Sequence, residues 1–307
     1  HGLLRQPLWI LRKGKELIAQ HKHDVCTVHE YPPFYNGLGA YLLHRATHIP
    51  YALEIHHVVG EPIAASIQEY FGRIFSRGVL VFDASAAAAV RVVNRFVAEV
   101  LASFGIPDSK LKIVPSFYLD HQKLSGVGTS VQKSYDLVTA ARLVPNKGID
   151  RLITALPDVA GATLLIIGDG PQRANLEALV QSLELQDQVT FVGWLGTPED
   201  VWRAIASARI FVLPSLSEGG PRSALEAMGL GIPVISTKVG VMPEVIQHGQ
   251  NGYLTEGSSD ELAATINSVL RGTLNLASLG ERGRLSVQRF DRATLIKDYA
   301  LFLQKLK

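Results

Sequence analysis

The chain is poor in cysteine, methionine and aromatic residues. One cysteine, Cys26, in 307 residues excludes an internal disulfide and any zinc cluster built from thiolates. It fits a reducing compartment, so a cytoplasmic location is expected. Neither sign of charge dominates. Thirty Lys and Arg stand against 28 Asp and Glu, a net charge of +2, which gives no bulk attraction to nucleic acid. No stretch reaches about 18 consecutive apolar residues, so no membrane-spanning helix is expected. No secretory leader is visible, and the first residue is His1 rather than Met, as in a fragment or a processed form. What is present is an ordinary globular composition, 47% apolar and 19% charged, long enough for two domains.

The stretch with the most chemistry is Glu218-Gly219-Gly220-Pro221-Arg222-Ser223-Ala224-Leu225-Glu226. It follows an apolar run, Ile210 to Leu213, that reads as a buried strand, and it leads into a short helix ending at Gly231. Glycines and a proline at a helix start leave backbone N–H groups pointing outward at the positive end of the dipole. Such a turn is an anion site. Glu218 on the loop and Glu226 inside the helix add two acceptors, a set suited to a ligand with phosphates and hydroxyls. The plainer reading is a capped helix with two solvated carboxylates.

The segment from Pro214 to Ile235 resembles the signature of retaining GT-B glycosyltransferases, family 4: Glu, seven residues, Glu, then Ala-Met and Gly-x-Pro-Val. The match spans over twenty positions. The resemblance implies an α/β fold of two Rossmann-like domains facing each other across a cleft, and transfer of a sugar from a nucleoside diphosphate donor to a hydroxyl with retention at the anomeric carbon. It implies roles as well. Arg142, Lys147 and the turn Gly220, Pro221, Arg222, Ser223 and Ala224 would hold the diphosphate. Gly219, Leu225 and Glu226 would hold the sugar and ribose. Glu218 and His56 would face the reacting sugar. No metal or other cofactor is expected, since no Asp-x-Asp pair lies beside these residues.

The second half, residues 134–290, alternates strands and helices. Strands are expected at Tyr135–Ala140, Leu164–Ile167, Val189–Val192, Ile210–Leu213, Val234–Ser236 and Tyr253–Leu254, making a complete Rossmann-like domain. Ile149, Leu152, Ile153 and Leu156 have the spacing of an amphipathic helix. Arg142 and Lys147 sit between the first strand and that helix, where Arg offers a fork to phosphate and Lys a point charge. Gly168-Asp169-Gly170-Pro171 opens like a dinucleotide fingerprint, but position 173 is Arg and no acid ends the next strand. NAD is therefore disfavoured, and the turn is given a backbone role.

The first half, residues 1–120, is read as an incomplete α/β domain. A basic amphipathic helix is expected over Leu8–Gln20. It suits an anionic membrane surface, but composition favours a packed helix with a solvated basic face. Strands are expected at Asp24–His29, Tyr51–Ile55, Val79–Phe82 and Lys112–Pro115. Helices are expected from Asn36, through Ile63–Ile74, and as one long alanine-rich element from Ala84 to Ser103. His56 and His57 end a strand, and no third residue is spaced to join them as metal ligands. A linker is expected over 121–133 and a terminal helix over 291–307 that rejoins the first domain.

Two departures from the family pattern stand out. The opening strands and glycine-rich loop have no counterpart, and Pro115-Ser116-Phe117-Tyr118-Leu119-Asp120 replaces Pro-Asn-Gly-Val-Asp. This chain alone is accordingly expected to bind a donor and transfer its sugar poorly. Expected partners are a nucleotide-sugar donor and a carbohydrate, lipid-linked or other hydroxyl acceptor, with peripheral membrane contact left open and no nucleic acid. Two rivals remain: a nucleotide-sugar epimerase on the same fold, and a non-catalytic donor-binding fragment.

Overall fold

The structure is a computed structural model that describes residues 5–30, 35–58, 61, 67–127, 131–159, 161–272 and 275–306. It divides into two units. The first unit, residues up to Ser116 together with Ala293 onward, holds α1 (Gln6–His21), β1 (Cys26–His29), α2 (Tyr35–Thr47), β2 (Tyr51–Ile55), α3 (Ile67–Ser85), β3 (Ala89–Val92), α4 (Arg95–Ser103) and β4 (Leu111–Ile113). α13 (Arg292–Gln304) completes it. Its four strands are parallel in the order β1-β2-β3-β4.

Successive side chains of a strand face opposite sides of the sheet. On one side Ala52, Ala89 and Val114 pack on Phe302 of α13. On the other, Tyr51 reaches α3 and donates from its hydroxyl to the Asp83 carbonyl at 2.8 Å.

Two expectations for this unit are corrected. Val79–Phe82 is not a strand but part of α3, and the alanine-rich run is not one helix but β3, a turn and α4. Ser76, Leu80, Asp83 and Ala84 are buried at helical spacing, and that face overrides the four-residue apolar run. Ala89–Val92 is buried on both sides and lies between β2 and β4, so tertiary pairing overrides helix propensity. Asn94 then caps α4 by accepting from the Val97 amide. The helix expected from Ile63 is described only from Ile67, and Gly60 and Gly128–Ser130 lie outside the described residues.

Asp83 is fully buried, and neither carboxyl oxygen has a hydrogen-bond partner. It lies against Gly37, where a Cβ would come within 2.2 Å of its Cγ. Burial, with Glu30 adding to it, pushes the carboxyl up to about 8. The native state thus keeps a proton that the unfolded chain releases above its ordinary value of 3.8. The sign follows by linkage: the contribution is complete below pH 3.8 and is lost as pH rises through about 8. Its slope reaches roughly 1.4 kcal/mol per pH unit. Asp83→Asn should flatten the fall of melting temperature between pH 5 and 8. Parallel wild-type and variant curves would refute the assignment.

The second unit, Phe117–Arg292, opens with α5 (His121–Ser125). Asp120 caps α5 by accepting from Lys123 N at 3.1 Å, and Leu124 is buried. The first part of the stretch read as a linker is therefore a packed helix. There follow β5 (Tyr135–Ala140), α6 (Ile149–Ala155), β6 (Leu164–Ile167), α7 (Arg173–Ser182), β7 (Val189–Gly193), α8 (Pro198–Ala206) and β8 (Ala208–Leu213). α9 (Arg222–Gly229), β9 (Val234–Thr237), α10 (Met242–Val245), β10 (Tyr253–Thr255), α11 (Ser259–Arg271) and α12 (Leu276–Ser286) complete the unit. The six strands are parallel in the order β10-β9-β8-β5-β6-β7, over a core that includes Leu137, Leu152, Ile153, Leu164, Ile210 and Ile266.

Beyond β5 the chain builds outward through β6 and β7, then crosses back to lay β8 on the other side of β5. That reversal is a topological switch point, where open α/β sheets bind ligands at the carboxyl ends of their strands. The α/β class with two parallel sheets is as expected.

Candidate functional site

The loops that leave β5 and β8 meet at this switch point. The β5 loop runs from Ala141 to Gly148, and buried Leu143 anchors it. Leu143 donates to the Asp169 carbonyl at 2.9 Å and accepts from the Gln172 amide at 3.0 Å. Gly168 and Gly170 have φ of 126° and 158°, and a Cβ on either would strike the carbonyl of Ala141 or Leu143 within 2.5 Å. The Gly168–Pro171 turn is thus a backbone clamp on the β5 loop. On the other flank the Leu216 amide donates to the Asn146 carbonyl at 2.8 Å, which ties the β5 loop to the β8 loop.

Lys147 and Glu218 meet across these loops, with Nζ 2.6 Å from Oε1 and both side chains largely buried. The Ser215 hydroxyl donates to the same oxygen at 2.9 Å. After Gly219 and Gly220 the chain enters α9, whose N-cap, Pro221, offers no side-chain acceptor. By helix geometry the amides of Arg222 and Ser223 have no intrahelical acceptor. A Cβ on Gly220 would lie 1.9 Å from the Phe117 ring, so no other residue fits there without a shift.

Glu226 is buried, and Arg222 Nε donates to its Oε1 at 3.0 Å. Burial raises the Glu226 carboxyl above its ordinary value, and the Arg222 charge opposes this. Ser223 donates from Oγ to the Ala140 carbonyl at 2.8 Å, and Arg142 is exposed at the mouth of the β5 loop.

Of the expected residues, Arg142, Lys147, Glu218, Gly219, Gly220, Pro221, Arg222, Ser223 and Glu226 therefore lie on this one edge. Ala224 and Leu225 do not face it. Both are fully buried, and their amides bond to the Pro221 carbonyl inside the first turn. They shape the helix start. Sequence reasoning missed Trp194. It follows β7 and is 78% exposed, and with Leu195, Val201, Ile167, Gly168, Arg142 and Ser223 it lines an apolar pocket of about 180 Å³. The available signal was a tryptophan just beyond the carboxyl end of a strand.

His56 belongs to the first unit. It follows β2, and its neighbours come from other strands. Parallel pairing of β1 and β2 places His29 beside Glu54 in register. The two imidazoles stack edge to face at 4.7 Å, and each Nε2 lies about 3.5 Å from Glu54 Oε2. Arg91 Nη1 donates to that oxygen at 2.6 Å, and the Tyr299 hydroxyl donates to Oε1. Burial would raise the Glu54 carboxyl, but His56, Tyr299 and Arg91 outweigh it and hold it at about 2.

The absence of a third ligand near His56 is thus corrected. His29, Glu54 and His56 have ligand atoms within 4.8 Å of one another, and they are residue types that bind zinc. Arg91 already neutralises the carboxylate, which weakens its pull on a cation.

Comparison with known proteins accords with this construction. The family model for Glycosyl transferases group 1 matches residues 120–286, and that for Glycosyltransferase Family 4 matches residues 1–118. N-acetyl-alpha-D-glucosaminyl L-malate synthase of Bacillus anthracis is 30% identical over 205 residues, 63% of this chain and 53% of that protein. A GDP-mannose-dependent alpha-(1-6)-phosphatidylinositol monomannoside mannosyltransferase of Mycobacterium tuberculosis is 34% identical over 160 residues, 48% of this chain and 41% of that one. The chain thus spans about half the length of these curated relatives.

Among solved structures, sucrose-phosphate synthase from Thermosynechococcus elongatus aligns at TM-score 0.82 and 22% identity, covering 99% of this chain and 79% of that one. Anabaena Alr3699/HepE, in complex with UDP and glucose, aligns at 0.76 and 23% identity, covering 95% and 81%. These likenesses concern the fold. The match over 120–286 takes in more than half of the sequence, including both loops of the switch point, and the chain belongs to the group 1 glycosyltransferases.

Proposed function

We propose that this chain serves transfer of a sugar from a nucleoside diphosphate donor to an acceptor hydroxyl, with retention of configuration and without a metal. The observation that carries the reading is the convergence of Lys147, Glu218 and the open start of α9 at one switch point. Charge develops on the departing diphosphate, and preorganised donors aimed at it lower the barrier. Arg142 supplies a guanidinium fork, Lys147 a point charge and α9 its first-turn amides. Lys147 is paired with Glu218 before a donor arrives, so phosphate competes for it and frees the carboxylate to accept from sugar hydroxyls. Glu226, buried and raised in basicity, accepts from the ribose. The apolar pocket at Trp194 suits a flat base, and by the family resemblance His56 is a further contact to the donor sugar.

Retention rests on the family resemblance. The relatives named as an N-acetyl-alpha-D-glucosaminyl L-malate synthase and as a GDP-mannose-dependent phosphatidylinositol monomannoside mannosyltransferase, and the neighbour holding UDP, support a nucleotide donor and a carbohydrate or lipid-linked acceptor. A cytoplasmic location, peripheral at a membrane, accords with the single cysteine and with the absence, among the described residues, of a helix long and apolar enough to cross a membrane.

Donor binding in the presence of a chelator tests the reading. The chain should bind nucleoside diphosphates with EDTA present, and Glu226→Ala should weaken donor binding by roughly 1.5–3 kcal/mol, the worth of a hydrogen bond to a charged group. A strict requirement for magnesium or manganese would overturn the metal-free mechanism. Unchanged affinity with a lowered melting temperature would make Glu226 a structural residue.

A further inference from the structure

α3 has its polarity reversed. The side packed on the first unit carries Ser76 and Asp83 beside Leu80, all fully buried. The outer side carries Ile67, Tyr70, Phe71, Ile74, Phe75 and Phe82, each between 45% and 69% exposed. These positions recur at helical spacing and form one stripe about 22 Å long at 1.5 Å per residue. Scattered exposed apolar residues are ordinary, but a continuous stripe of large ones marks an interaction surface.

What covers it is indicated by the neighbouring charge. α2 packs against α3, where Tyr41 meets Phe82, and against α1, where Gly39 receives Ile10. α1 is exposed at Leu8 and Trp9, with exposed Arg5, Arg12 and Lys15 around them. Its one acid, Glu16, is paired with Lys13 at 2.7 Å. Arg77 lies beside the α3 stripe, and of the two carboxylates in α3, Glu69 and Asp83, the second is buried. Aromatic and aliphatic side chains interleaved with cations are the composition of helices that lie in a lipid interface.

We infer that the outer face of α3, with the tryptophan and cations of α1, docks on an anionic lipid bilayer. This deepens the proposed peripheral location by naming its surface. It also revises the sequence-based preference for α1 as a merely solvated basic helix. The rings and aliphatic chains of α3 would enter the headgroup region, while Arg5, Arg12 and Lys15 would meet lipid phosphates.

The experiment is vesicle co-sedimentation of the full chain without any donor, so its outcome is independent of sugar transfer. The vesicles are phosphatidylcholine alone or phosphatidylcholine mixed with phosphatidylglycerol. The chain should sediment with the anionic vesicles and stay in solution with the neutral ones. Phe71→Ser, Ile74→Ser and Phe75→Ser combined should weaken partition about 100-fold, through lost apolar burial. Arg12→Glu with Lys15→Glu should weaken it about 30-fold, an effect that salt diminishes. Circular dichroism and an unchanged melting temperature verify that the exposed substitutions leave the fold intact. Two results would overturn the inference. One is a wild-type chain that ignores anionic vesicles. The other is a concentration-dependent dimer in light scattering that the triple serine variant abolishes, which would make the stripe a contact between two copies.

Discussion

Lys147→Ala is expected to slow release of nucleoside diphosphate from the donor by about 10²–10³-fold, the effect of removing one preorganised donor from a developing anion. The argument is geometric. The Gly168–Pro171 clamp and the Asn146–Leu216 hydrogen bond hold the β5 loop on both sides, so Lys147 reaches Glu218 of the β8 loop from a fixed backbone. Its Nζ sits 2.6 Å from Glu218 Oε1, close enough that phosphate and carboxylate compete for one cation. With alanine the diphosphate loses its point charge, and Glu218, still held by Ser215, becomes an uncompensated negative charge beside the donor. Both effects act in the same direction. Lys147→Arg should recover part of the rate, because the charge returns with a different shape. An unchanged rate in the alanine variant, with donor affinity intact, would remove Lys147 from the mechanism.

Arg91→Ala is expected to destabilise the first unit by roughly 3–5 kcal/mol, the cost of leaving a buried charge without its partner. Glu54 is wholly buried and receives hydrogen bonds from Arg91 and Tyr299. Arg91 also donates to the carbonyls of Val114 and Pro115, at 2.9 and 2.8 Å, and lies 4.2 Å from the centre of the Tyr299 ring. One guanidinium thus joins β2, β3, the end of β4 and α13. The wild-type carboxylate, held at about 2, stabilises the fold above the unfolded value of 4.5 and ceases to do so as pH falls through 2. Without Arg91 that carboxyl rises, so the variant should regain part of its lost stability as pH is lowered from 7 to 5. Urea unfolding at the two pH values measures this, while nucleotide affinity of the second unit should stay as in the wild type. A loss below about 1 kcal/mol, the range of an exposed ion pair, would mean that the charges are not the centre of that unit.

Legibility differed between the two units for a physical reason. In the second, β6 and most of β8 are apolar runs buried on both faces, and the strands are bounded by Gly, Pro or charged turns, so period and punctuation agree. In the first, α3 turns its apolar side outward, and Val79–Phe82 therefore imitated a buried strand. The alanines before Val90 favour a helix locally, and only the pairing of β3 with β2 and β4 makes them a strand. The same division applies to the site. Residues within a contiguous loop, such as Glu218 to Ser223, were readable. The burial of Ala224 and Leu225 depends on which way α9 faces, and the meeting of His29 with Glu54 depends on strand register. Neither is a local property of the sequence.

Leu119 and Asp291 are bridge partners, with Leu119 N donating to the Phe290 carbonyl at 2.8 Å and Arg292 N to the Leu119 carbonyl at 3.1 Å. The points where the chain enters and leaves the second unit are therefore side by side, and that unit is an insertion within the first. Synthesis imposes an order on such an arrangement. When Ser116 leaves the ribosome, the first unit still lacks Tyr299 and Phe302, which come from α13, and its sheet has one side uncovered. The second unit has its whole complement of strands once Thr255 has emerged. Domains generally fold as units, the earlier before the later. Here the later-made one can close first, and the earlier-made one is completed only by residues 293–307.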